Sequence, residues 1–420
     1  MRERACAPGR IGLAAGVWSS PPNPTPEPME RIAITSAVRT PIAKFMGALS
    51  SLSAVELGAH AVKAALETCG TAPTDVEELF MGQARQLGSG PNPARQVAVA
   101  AGCGDGAVAT TVNKACGSSL KAFDFARAAL LLEGKKVVVV GGMESMTNIP
   151  FLLPQYRQGY RLGHQPVLDG NYQDGFTCGI LKEPMGMTAE YLAQDYAITR
   201  EQQDEYALQS HARAEAAQKA GAFADEIAKV VIAGRKGDVV VDTDEHVRQG
   251  VTIADLQKLP PVFIQKTGTV HAGNSSGITD GASALVLMTE SEQKRRGIPA
   301  LAYLGASATA GVSPRIMGIG PVPATKKLLQ QTGMSLSDFD LVELNEAFAA
   351  QMLACLKDLP IARDRLNVHG GAIALGHPIG ATGARIVVTL LHAMRQRGGR
   401  RGLATLCMSG GMGMAVAFER

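Results

Sequence analysis

TTVNKACGSSLKAFDFARAALLLEGKKVVVVGGMESM, residues 110–146, runs through a strand, a turn, a helix and a second strand in direct succession. The first strand ends at Asn113, an amphipathic helix is predicted from Ser118 to Leu132, Gly134 stops it, and Val137–Val140 reads as a buried strand. The stretch GATGARIVVTLLHAMRQRGGRRGLATLCMSGGMGMAVAFE, residues 380–419, repeats this order: small residues, amphipathic helix, glycine stop, apolar strand, then Gly-Gly-Met. Gly141–Met143 thus corresponds to Gly410–Met412. A repeat at this separation predicts two similar α/β halves rather than a solenoid, whose periods are roughly 20–50 residues. The strand-to-helix junction carries Cys116 in the first half and His377 in the second. Packing the halves together is expected to bring a cysteine and a histidine to facing helix starts.

Outward from these stretches the layered α/β pattern continues. LSAVELGAHAVKAALETCG (52–70) and PARQVAVAAG (93–102) have helical spacing, and VEELFMGQA (76–84) is strand-like. Residues 148–277 differ in character: NIPFLLPQYRQGYRLGHQPVLDGNYQDGF is aromatic and broken by proline and glycine, whereas TREQQDEYALQSHARAEAAQKAG is a polar helix. Such an insertion is expected to cover a site and bind the remote part of a ligand. Residues 1–28, proline-rich in their second half, are expected to be a disordered extension. Their IGLAAGVW piece has the look of a signal h-region, but PPNPTPEP resembles no cleavage site, and Met29 is a candidate natural start. The predicted organisation is therefore an extension (1–28), an N-terminal half (29–147), an inserted loop domain (148–277) and a C-terminal half (278–420).

Composition excludes several functions. With 420 residues, 46% hydrophobic and 19% charged, the chain can bury a large interior divided among two or three domains. A net charge of +3, with seven tyrosines and one tryptophan, makes a poor nucleic-acid binder. Seven cysteines without a CxxC pair argue against a disulfide framework or structural zinc, and suit a reducing compartment such as the cytoplasm. No apolar run reaches the roughly 18 residues of a membrane span. Glycine, at 47 residues, clusters in runs, which implies backbone packed close to something.

Several residues suggest chemistry. Cys116 precedes a helix start, where the positive end of the dipole is expected to lower its pKa; by itself it reads equally well as a buried structural cysteine. Cys407, at the end of ATLC before MSGGMG, should emerge where a strand gives way to glycine-rich backbone. In GHPIG, proline after His377 and glycine before it hold the ring rigidly with open space alongside. NEAFAA reads as a helix start with Asn345 as its cap and Glu346 in the first turn.

Taken together and in order, NKACGSS, GGMESM, GTVHAGNSSGITDGA, NEAFAAQ, NVHGGAIALGHPIGATGARI and GLATLCMSGGMG resemble the thiolase family, over residues 30–420. Within it the chain is most similar to the acetyl-CoA acetyltransferases. The resemblance implies a thiolase-like fold and a reversible Claisen condensation of two acetyl-CoA to acetoacetyl-CoA and coenzyme A through an acetyl-cysteine. It implies Cys116 as nucleophile, Cys407 as general acid/base, and His377 as the group that activates Cys116. His377 and a water held by Asn345 would bind the thioester oxygen, and the backbone N–H groups of Cys116 and Ser409 a second oxyanion. Serine stands at 409 where the family usually has glycine or alanine. Arg248, Ala272, Ser276, Met185 and Ala347 map to substrate-contacting positions. Pro184 stands where short-chain members can carry histidine, which leaves acyl-chain preference open. Alternatives are a degradative 3-ketoacyl-CoA thiolase and a non-catalytic acyl-CoA- or lipid-binding protein on the same scaffold. No metal or redox cofactor is implied, coenzyme A thioesters being substrates, and a homotetramer or homodimer is.

Overall fold

Strand β1 (Ile32–Arg39) is buried along its whole length, so both of its faces must be covered by other elements. The computed structural model describes residues 30–420; the predicted extension and Met29 lie outside the described residues. The strands that follow are β2 (Glu78–Gly82), β3 (Val108–Val112), β4 (Val137–Ser145), β5 (Thr279–Thr289), β6 (Ala302–Gly311), β7 (Leu341–Leu344), β8 (Arg401–Met408) and β9 (Met412–Glu419). With a two-residue strand at Ala43–Lys44 they form one ten-stranded sheet in the order β7-β8-β9-β6-β1-β5-β4-β2-β3.

The repeat seen in the sequence is a repeat of pairing. In the first half β2 lies parallel to β4, β4 antiparallel to β5, and β5 antiparallel to β1. In the second, β7 lies parallel to β8, β8 antiparallel to β9, and β9 antiparallel to β6. Only Ala33↔Tyr303 and Ile34↔Ala302 join β1 to β6, so the sheet is two half-sheets sharing a narrow seam. β5, which follows the inserted segment in sequence, hydrogen-bonds β1 and β4 and so completes the first half-sheet.

Two helices lie between the half-sheets, α1 (Ser118–Leu131) and the long C-terminal α6 (Ile379–Arg397). Every residue of α6 from Gly380 to Met394 is buried, as a helix packed on all sides must be. The central core joins α1, α6 and the inward faces of both half-sheets through Phe123, Ile386, Leu390, Val140, Leu285, Leu406 and Met414. Helices Ala54–Cys69 and Pro93–Ala100 cover the outer face of the first half; Pro321–Thr332 and α4 (Ala349–Asp358) cover that of the second.

The starts of α1 and α6 approach closely because glycine stands where they touch. A Cβ on Gly380 would come within 2.7 Å of the Gln83 Cα, and one on Gly383 would run into the backbone of Leu120. The inserted segment contributes helices α2 (Met185–Asp195) and α3 (Arg200–Lys219) and two short hairpins. Buried Arg39 docks it: Nε donates to Glu226 at 2.6 Å, and Nη1 and Nη2 donate to the two oxygens of Asp244 at 2.7 and 2.9 Å. A charge removed from water this completely is tolerable only with such partners.

Candidate active site

Cys116 sits in the short turn between β3 and α1. The turn is held by Asn113, whose Oδ1 accepts from the Ala115 N–H at 3.1 Å and whose Nδ2 donates to the Ala84 carbonyl at 3.0 Å. Ala115 itself has φ 49°, a left-handed conformation that turns the chain into the nucleophile position. The second half has a related turn: the bridge Val368↔Gly370 matches Lys114↔Cys116, but the left-handed residues are Asn367 at φ 43° and Gly370 at φ 78°, on either side of the position equivalent to Ala115. After it the halves diverge. α1 starts at once, whereas the second half makes the single turn α5 (Ala372–Leu375), breaks, and only then begins α6. His377 lies in the break, between Gly376 at φ 102° and Pro378, whose missing N–H and ring end α5.

The Cys116 sulfur faces two backbone N–H groups, its own and that of Ser409 just past β8. The residue is half-buried. Burial pushes this thiol above its usual range. The two N–H groups and the Arg85 guanidinium act in the opposite direction without prevailing. The expected depression by the helix dipole is therefore reversed, because desolvation of the thiolate exceeds what the dipole returns. Cys407, at the end of β8 and fully buried, lies within electrostatic reach of Cys116, and burial pushes its thiol well above the usual range. Met317 and Ala347 pack on it, with Met185 and Phe348 beside them.

His377 is buried, and its ring is oriented by Thr382 on the first turns of α6. Thr382 Oγ1 donates to the Pro378 carbonyl at 3.0 Å and lies 2.6 Å from Nδ1. A hydroxyl has one proton, so with it committed to Pro378 its oxygen accepts the Nδ1 proton, leaving Nε2 as the free basic nitrogen. Burial, then Arg385 and Arg85, push the ring down to about 3, so it is neutral at physiological pH. At rest each of the two groups is thus uncharged, Cys116 a thiol and His377 a neutral imidazole.

Asn345 follows β7, and its N–H donates to the Thr405 carbonyl of β8 at 3.0 Å. It is 1% exposed, with neither side-chain oxygen nor nitrogen partnered by protein, as suits a residue that holds a water. It is not a helix cap. α4 begins at Ala349, whose N–H is taken by the Asn274 carbonyl at 2.9 Å, so the Asn345 amide is released from capping. Glu346 is no first-turn residue either; its carboxylate accepts from Tyr206, Ser210, Asn367 and the Ile373 N–H.

Backbone contacts join two of the remaining positions and tie their segment to His377. The Ser276 N–H donates to the Ala347 carbonyl at 3.0 Å, and the His377 N–H to the Gly277 carbonyl at 3.0 Å. The segment holding Ala272 and Ser276 is anchored from beneath by buried His271, whose Nε2 is 2.7 Å from Asp204 and whose Nδ1 accepts from Gly273. Ala272 is exposed and Ser276 half-buried. Arg248 is exposed, within electrostatic reach of His246, whose ring Gly277 packs against. Cavities of about 330 Å³, lined by Ser53, Gln83 and Asn148, and about 480 Å³, lined by Tyr206, Leu353 and Arg363, contain none of these residues.

Sequence reasoning passed over Thr382, Arg85, Met317 and Glu144. Arg85 is buried with its guanidinium 4.4 Å from the Phe176 ring, over Gly175, whose lack of a Cβ makes the room. Among the described residues no group of three or more His, Cys, Asp and Glu is arranged to hold a metal, and no helix is long and apolar enough to cross a membrane.

Two family models match nearly the whole described chain: the thiolase N-terminal domain over residues 32–291 and the thiolase C-terminal domain over 298–420. The acetyl-CoA acetyltransferase of Cupriavidus necator is 49% identical over 393 residues, 93% of this chain and 100% of that one. That of Rhizobium meliloti is 50% identical over 389 residues, 93% of this chain and 98% of that one. The crystal structure of the Bacillus anthracis acetyl-CoA acetyltransferase superposes with TM-score 0.91 at 43% identity, covering 93% of this chain and 99% of that one. That of human mitochondrial 3-ketoacyl-CoA thiolase does so with TM-score 0.89 at 39% identity, covering 93% and 99%. These matches, which together span residues 32–291 and 298–420, establish that the chain belongs to the thiolase family.

Proposed function

We propose that this chain is an acetyl-CoA acetyltransferase, condensing two acetyl-CoA reversibly to acetoacetyl-CoA and coenzyme A. The observation that carries the mechanism is the Cys116 sulfur set against the N–H groups of Cys116 and Ser409, with a second thiol, Cys407, in electrostatic reach. His377 Nε2 takes the Cys116 proton as the sulfur attacks the acetyl carbonyl, and the two N–H groups receive the tetrahedral oxyanion. The carbonyl re-forms and the coenzyme A thiolate leaves, protonated by Cys407, which thereby becomes the base. Cys407 then removes the α-proton of the second acetyl-CoA; the enolate oxygen is held by protonated Nε2 of His377 and a water on Asn345. Carbon attack on the acetyl-cysteine releases the Cys116 thiolate, which recovers its proton from His377, and every proton is accounted for. A buried thiol suits this base role, because its thiolate is strongly basic once formed.

Arg248, Ala272 and Ser276 are assigned to the coenzyme A moiety. Met185 and Ala347, beside Cys407, are assigned to the acyl end, where their crowding favours a short chain. The enzyme works without a metal or redox cofactor, in the cytoplasm, as a homotetramer or homodimer. Incubation with radiolabelled acetyl-CoA should leave one acetyl group on Cys116 and none on Cys116→Ala; an unlabelled wild-type enzyme would refute the mechanism. Cys407→Ala should acetylate but not condense. Thiolysis should be fastest on the four-carbon 3-ketoacyl-CoA, and a preference for longer chains would identify a degradative thiolase instead.

A further inference from the structure

Glu144, in the GGMESM motif near the end of β4, is fully buried and touches neither cysteine nor the histidine through its own hydrogen bonds. Its carboxylate instead gathers three backbone N–H groups from distant parts of the chain. Oε1 accepts from Arg85 at 3.1 Å, and Oε2 from Ala84 at 3.1 Å and from Gly380 at 2.8 Å. Gly380 is in the first turn of α6, just beyond the break that holds His377. Ala84 is the residue whose carbonyl Asn113 grips, and Asn113 also holds the Ala115 N–H immediately before Cys116. One side chain therefore stands between the element carrying the histidine and the loop carrying the nucleophile.

The arrangement suits an anion. All three partners are donors, one of them at a helix N-terminus where the dipole favours negative charge, and the Arg85 guanidinium is the nearby cation. Burial works against ionisation and pushes the carboxyl up to about 7, so the three N–H groups and Arg85 do not fully offset the desolvation.

We propose that Glu144 is a positioning residue for the thiol–imidazole pair, clamping the start of α6, and with it His377, to the loop that presents Cys116. This rests on the reading above that these two residues act together. Glutamine at 144 keeps the volume but turns an amide donor toward backbone donors, so the clamp opens without a cavity.

The test begins with the wild-type enzyme: an acetyl group on Cys116, seen by mass spectrometry after acetyl-CoA treatment, establishes the pair, and its absence overturns the functional reading itself. With that in hand, Glu144→Gln is compared with wild type in steady-state condensation and in alkylation of Cys116 by iodoacetamide, which needs the base but no coenzyme A site. A displacement of the pair on the order of 1 Å is expected to lower kcat and the alkylation rate together by about tenfold or more, with KM for acetyl-CoA within about twofold. Wild-type kcat and alkylation rates, or a raised KM with kcat unchanged, would overturn the proposal. Should Glu144→Gln fail to fold, Asn113→Ala cuts the clamp on the nucleophile side from a partly solvated position. It should slow alkylation in the same direction, and an unchanged alkylation rate in that variant would equally overturn the proposal.

Discussion

At His377 the local sequence and the surroundings each decide a different property. Gly376 and Pro378 set the backbone, and that much follows from residue type. Which nitrogen is basic depends on Thr382, one turn along α6, through the 2.6 Å contact to Nδ1. Thr382→Val preserves shape and removes the acceptor, so acetylation of Cys116 is expected to fall by about 100-fold, the lower end of what general-base catalysis contributes; Thr382→Ser should retain most of it. Rapid-quench measurement of acetyl-enzyme formation distinguishes the two. Because burial holds His377 down to about 3 and Cys116 above its usual range, the proposed mechanism starts from a thiol and a neutral imidazole. Alkylation of Cys116 should therefore keep rising with pH through and above neutrality; a plateau between pH 5 and 8 would mean a preformed ion pair. The same residue bears on stability. A histidine whose folded pKa is lowered stays neutral while the unfolded chain protonates, so its contribution is complete above about 6.5 and is lost as pH falls below that value.

At the scale of elements, the site depends on how closely α1 and α6 approach. The contact is made of backbone: Gly82 and Gly142 of the first half-sheet lie against Ser119 and Gly380, and Gly383 lies against Leu120. Side chains at these points would push the helix starts apart. Gly383→Ala is favoured by helix propensity, yet its methyl would meet the Leu120 backbone, which cannot rotate away. It should destabilise the protein by about 1–3 kcal/mol, as overpacking does, and lower the urea midpoint; an unchanged or raised midpoint would show that the crossing is looser than described.

For the whole molecule, the inserted segment is held by contacts distant in sequence. It is docked by Arg39 on β1 through Glu226 and Asp244, and Thr389 of α6 adds a bond to Glu226 at 3.1 Å. Arg39→Met leaves two carboxylates buried without their cation, at a cost of about 3–5 kcal/mol, measurable in the urea midpoint. Arg39→Lys should recover little, since an ammonium cannot bond Asp244 bidentately. Hydrogen exchange should show the loss first at residues 226–228 and 244–246, where the segment meets β1.

The order of elements and the internal repeat were legible in the sequence, because a glycine stop or an apolar run is encoded within a few neighbouring residues; Cys116, His377 and Cys407 each read locally as core residues too, and were singled out by the conjunction of motifs that resembles the thiolase family. What the sequence misled on were properties set by residues far away. Asn345 satisfied the local rule for a cap, but the Asn274 carbonyl takes the first N–H of α4, leaving the asparagine amide free. Cys116 satisfied the rule for a depressed thiol, but burial outweighs the dipole. Glu144 carried no local signal at all, its partner Gly380 lying 236 residues away. Local chemistry alone determined which groups this chain has to offer; only tertiary packing decided their protonation, their partners and their distance from one another, because desolvation and hydrogen bonding are set by whatever the fold brings alongside.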